Sequence, residues 1–160
     1  MKYLIRSFLL LALAVQLTLG IADNSRASDD GIVTIKVEGD FFDVSANIRA
    51  AIVGKGINIS NIVHASQMLN RTGRDFGYSD NVYIDAEMYE FCSARFSHKL
   101  ARLHPDNIVM CPFTISVYVL TDEPDLVRIT YRVPTGKPGS EEISEEIGAL
   151  IEDIIEEATW

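Results

Sequence analysis

The chain has 160 residues, 14 of them basic and 23 acidic, for a formal net charge of −9. A field of that sign repels phosphate backbones, and no Lys/Arg stripe offsets it, which counts against nucleic acid and anionic membrane surfaces as partners. The length suits one domain with a substantial core and is too short for two.

Residues 1–22 read as a secretory signal peptide. Lys2 and Arg6 form the basic start, and Phe8 to Leu19 form an apolar core broken only by Gln16 and Thr18. Gly20-Ile21-Ala22 supplies the small residues of a cleavage site, with Ser25-Arg26-Ala27 as a later alternative. The apolar core falls well short of the ~20 residues of a membrane-spanning helix. A periplasmic protein without a membrane anchor after cleavage is therefore expected. Loss of Lys2 and Arg6 leaves 12 basic against 23 acidic residues, a formal charge of −11. Residues 23–30 are small and polar and read as a flexible leader.

Gly31 to Glu38 is β-branched and roughly alternating, a first strand. Asp43 reads as a helix N-cap, because Val44, Ile48, Ala51 and Ile52 then recur on one helical face. Gly54 and Gly56 end that helix, the second where a left-handed C-cap is usual. Ile57 to His64 resumes alternation, and strand–helix–strand at this spacing suggests a crossover unit. Ala65 to Arg71 is a short helix, and Thr72 to Asn81 a loop rich in turn residues. Val82 to Cys92 fits helical and strand spacing alike. Ser93 to Leu103 is a helix with Phe96, Leu100 and Leu103 inward and Pro105 just beyond it. Phe113 to Leu120 alternates cleanly, Asp122 to Asp125 is a turn, and Leu126 to Val133 is its hairpin partner. After a Pro/Gly linker from Pro134 to Gly139, residues 140–158 form an amphipathic helix. Ile143, Ile147, Leu150, Ile151, Ile154 and Ile155 lie on its inner side, and its outer side carries eight carboxylates and no base. A solvated surface explains those carboxylates better than a calcium site or a basic partner, since no loop has cation-ligand spacing.

Cys92 and Cys111 enclose 18 residues. In an oxidising compartment they are expected to pair as a structural disulfide. Two further readings stay open: a thiol/disulfide redox pair, with Cys92 near a helix N-terminus, and a soft-metal site, with Met68, Met88 and Met110 in the same half of the chain. His64 ends a strand just before a turn, where an imidazole can ligate a metal or haem iron or move a proton. The competing reading is a half-buried histidine bonded to a backbone carbonyl. His98 and His104 look solvated. Neither CxxC nor CxxCH occurs, and no GxSxG, HExxH, phosphate-binding glycine loop or Rossmann fingerprint is present.

Met68-Leu69-Asn70-Arg71-Thr72-Gly73, Phe91-Cys92-Ser93-Ala94, Asn107-Ile108-Val109-Met110-Cys111-Pro112 and Ile115-Ser116-Val117-Tyr118 form a recognisable set. Over Gly31 to Arg132 the chain resembles the exported form of the domain of unknown function 302 family. The resemblance implies an α+β fold in two layers, a mixed, mainly antiparallel sheet of about five strands with helices on one face. It resolves Val82–Cys92 as a strand ending near Cys92. It also implies a homodimer, and a histidine after the second strand, which is His64. The expected function is a periplasmic small-ligand binding or accessory protein without catalytic turnover. Its site would lie at His64 and Met68, its ligand being non-covalent haem b or a soft metal held through His64. The alternative is a thiol/disulfide redox protein using Cys92 and Cys111.

Overall fold

The computed structural model describes residues 31–160. The expected signal peptide and leader lie outside the described residues. Strand β1 (Ile32–Glu38) leads into helix α1 (Phe41–Gly54), strand β2 (Ile59–Val63) and short helix α2 (Ala65–Thr72). Strand β3 (Tyr83–Phe91) and helix α3 (Ala94–Leu103) follow, then strands β4 (Phe113–Leu120) and β5 (Glu123–Arg132), and helix α4 (Glu141–Thr159). Two 3-10 segments, Gly73–Phe76 and Pro105–Met110, occupy stretches that the sequence pattern leaves as loops. Among the described residues no helix is long and apolar enough to cross a membrane.

The N-cap of α1 is Asp40 rather than Asp43. The Asp40 carboxylate accepts from the backbone N–H of Phe42 at 2.8 Å and of Asp43 at 3.2 Å. Asp43 sits in the first turn, where its charge complements the helix dipole. The other end follows the pattern. Gly56 is left-handed at φ 71°, and the N–H groups of Lys55 and Gly56 return to Ala51 and Val53.

The sheet has the order β1-β5-β4-β3-β2, and every pairing is antiparallel. It is thus wholly antiparallel rather than mixed. The crossover expected between β1 and β2 does not exist, because those strands form opposite edges of the sheet. Period-two spacing reveals a strand but not its neighbour, and here hairpins and the long β5 decide the order. Val82–Cys92 is indeed a strand, Tyr83–Phe91, pairing β2 and β4. The β4–β5 turn is only Thr121-Asp122, since Leu120 already pairs with Glu123.

Alternation along the strands sorts the two faces. Tyr89 and Phe91, Phe113, Ile115 and Val117, and Val127 and Ile129 are buried toward α1, α3 and α4. Those helices contribute Ile48 and Ile52, Phe96 and Leu100, and Ile147, Ile151 and Ile154. Each such aliphatic side chain stabilises the fold by about 2 kcal/mol through removal from water. α2 packs against β3, where Ala86 is buried.

The acidic face of α4 is largely matched within the molecule. Glu146 accepts from Lys99 at 2.9 Å and from Arg95 at 3.2 Å, both on α3. Lys55, at the end of α1, contacts both Asp153 and Glu157 at 2.8 Å. The Tyr131 hydroxyl donates to Glu152 at 3.0 Å. Lys55 thereby offsets a carboxylate at the C-terminal end of α4, where the dipole disfavours it.

Candidate functional site

Among the described residues, the face of the sheet away from α1 and α4 is not closed over. It forms the floor of a groove of about 860 Å³, within the size range of small-ligand sites. α2 makes one bank with Met68 and Leu69, and Val109 and Val133 line the opposite region. The register places Thr34 of β1, Thr130 of β5, Ser116 of β4 and Met88 of β3 in one row across the floor. Tyr83 and Tyr118 stand edge to face, 5.4 Å between ring centres, at one end.

Met68, expected at the site, is half exposed and lines the groove with Met88 and Met110. His64 does not line it, although its chain neighbour Ala65 does. His64 is the residue before α2, and its Nδ1 lies 2.9 Å from Glu87 Oε1. The other carboxylate oxygen of Glu87 accepts from the Tyr89 hydroxyl. One carboxylate therefore joins a buried phenol to a half-exposed imidazole. A carboxylate on Nδ1 orients the ring and leaves the Nε2 lone pair for an electrophile, as outer partners of metal-ligating histidines do.

Burial, and next the bond to Glu87, push the Tyr89 hydroxyl up to about 12, while Ser45 and Arg49 pull the other way. The phenol is the favoured form in the fold, so this stability is fully present below the unfolded value near 10. It is lost as pH rises through about 12. Urea midpoints between pH 9 and 12 should fall more steeply for the wild type than for Tyr89→Phe, and parallel curves would contradict this.

The fit to a bare metal ion is poor. Among the described residues no three His, Cys, Asp or Glu side chains converge.

The model of the family "Domain of unknown function DUF302" matches residues 33–158. The chain belongs to the DUF302 family. That match runs past Arg132 and takes in α4, which the sequence resemblance had left outside. A crystal structure of an uncharacterized conserved DUF302 protein from Bacillus stearothermophilus is similar, with a TM-score of 0.66 at 13% identity. The similarity covers 80% of this chain and 98% of that one, and at this identity it speaks for the fold alone. No curated protein matches.

In this DUF302 domain Cys92 and Cys111 form a disulfide, with 5.7 Å between their Cα atoms. It joins the end of β3 to the residue pair before β4. His98 is exposed, and His104 uses Nδ1 to accept from the Asp106 N–H at 3.1 Å, capping a 3-10 segment. Neither lines the groove. Sequence reasoning missed Glu87 and Tyr89 as partners of His64. Their signal was present: a carboxylate two residues before a tyrosine, on the strand face that otherwise buries apolar side chains.

Proposed function

We propose that this protein is an exported small-ligand binding or accessory protein without catalytic turnover, working as a homodimer in the periplasm. The groove on the uncovered sheet face carries the reading. Its volume, its apolar banks and the hydroxyl row on its floor are what a site for one small organic molecule requires. Outside the groove, His64 with Nδ1 held by Glu87 would offer Nε2 to the iron of non-covalent haem b. Ser116→Trp, which fills the groove floor, should abolish ligand binding while the far-ultraviolet circular dichroism stays unchanged. Haemin added to the wild type should give a Soret band that His64→Ala lacks. No Soret band, together with wild-type binding of every tested ligand by His64→Ala, would remove the haem and metal part.

The second reading is a thiol/disulfide redox protein. In its favour, the bridge is half-buried rather than sealed in the core, and Cys92 lies just before α3. A helix N-terminus favours a thiolate there. A measured reduction potential below about −300 mV would mark the bridge as structural and end this reading.

A further inference from the structure

We propose that the groove takes an amphipathic monocarboxylic acid, one carboxylate on an unbranched apolar chain, and that Arg132 holds the carboxylate. The inference rests on the reading of the groove as a small-ligand site, and charge carries it beyond that.

Among the described residues, Glu87 and Arg132 are the charged residues bordering the groove, and the register puts the Glu87 side chain on the opposite face with Tyr89. Glu87 is engaged by His64 and Tyr89. The Arg132 side chain makes no hydrogen bond or ion pair with another described residue, unlike those of Lys55, Arg95 and Lys99 in the same acidic chain. A guanidinium without a partner beside apolar surface presents a planar fork that matches one carboxylate. Among the described residues no second cation lines the groove, so a diacid or a phosphate ester would leave charge unmatched.

The floor supplies the rest of the head site. Thr34, Thr130 and Ser116 stand side by side on β1, β5 and β4, and their hydroxyls bond to no other described side chain or backbone group. Each can donate to the lone pairs that Arg132 leaves over. Beyond Ser116 the row ends at Met88, with Met68 and Leu69 of α2 also lining the groove. Unbranched, polarisable methionines adapt to a chain of no fixed shape. From β1 to β3 the groove crosses three strand spacings, roughly 14 Å, which suits an extended chain.

The test is isothermal titration of the protein with decanoate and with decan-1-ol, which share a chain but not a charge. Wild type should bind decanoate at least tenfold more tightly. Arg132→Gln should lose that preference while binding decan-1-ol within twofold of wild type, and Arg132→Lys should keep part of it. Arg132 is exposed at the end of β5, so these variants should fold. A missing Soret band on haemin addition would leave this inference standing, since His64 does not line the groove, so the two readings fail separately. Equal binding of both compounds by wild type, or a preference that survives Arg132→Gln, overturns the inference and leaves the groove a ligand site. Binding of neither compound overturns the inference, and Ser116→Trp then decides whether the groove binds anything. Light scattering at the titration concentration would identify a second copy covering the groove, which also overturns it.

Discussion

Asn107→Ala should destabilise the protein by about 3 kcal/mol, the sum of three lost hydrogen bonds at roughly 1 kcal/mol each. Asn107 is 2% exposed and sits in the 3-10 segment between α3 and β4. Its amide nitrogen donates to Leu100 O at 3.1 Å and to Ser140 Oγ at 2.8 Å. Its amide oxygen accepts from the Lys137 N–H at 2.8 Å. One side chain thus joins the end of α3, the linker after β5 and the start of α4. The space around it is full. A Cβ on Gly136 would lie 2.9 Å from Met110 Sδ, 2.9 Å from Ser140 Cβ and 3.0 Å from Asn107 Oδ1. Alanine therefore leaves buried polar groups without partners and no room for the linker to rearrange around them. A fall in Tm of about 10 °C is expected for a domain of this size. Asn107→Asp should not rescue, because a carboxylate cannot donate to Leu100 O and carries a charge into a buried place. Urea unfolding checks both variants, and a loss below about 1 kcal/mol for alanine would show that water replaces the amide.

Removing the disulfide with Cys92→Ala/Cys111→Ala should cost about 3 kcal/mol, the loop-entropy value for a closure of this length. The bridge adds little to native contacts, because Phe91 already pairs with Phe113 across β3 and β4, with their rings 5.9 Å apart. Its effect belongs to the unfolded chain, which gains freedom when the bridge is gone. The double variant should keep the native circular dichroism spectrum and unfold at lower urea. Reduced wild type should unfold at the same urea concentration as the double variant. A much larger loss in the variant than on reduction would mean that the sulfurs pack as well as constrain. Either value is a large share of the 5–15 kcal/mol that holds a typical domain together.

Several elements were legible because their period is unambiguous. The isoleucines of α4 recur at helical spacing, and all but the half-buried Leu150 of the expected inner set are buried. Phe113 to Leu120 alternates so cleanly that β4 has the limits its pattern predicts. Val82–Cys92 was not legible from spacing, since its apolar residues fit both periods. The Asp40 cap was missed because Asp43 precedes the first periodic residue, whereas Phe41 and Phe42 had already begun the helix. Gly136 and Lys137 looked like parts of a loose linker. They are fixed by Asn107, some 30 positions away, through a bond that no local pattern announces.

The α+β arrangement was what the family resemblance implied, while composition and periodicity alone determined the acidic charge, helices α1, α3 and α4, the β4–β5 hairpin, and histidine and cysteine positions worth testing. These follow from local rules, because side chains spaced by 3.6 or 2 residues share a face wherever the element lies. Only the tertiary structure decided which strands are neighbours, and so everything that depends on neighbours. Thr34 and Thr130 stand side by side because β1 returns to pair with β5. His64 meets Glu87 because β2 pairs with β3 at the far edge. Among the described residues, the groove exists because three helices cover one face of the sheet and only the short α2 reaches the other. Strand order is set by the burial of the whole chain at once, and no window of sequence contains that competition.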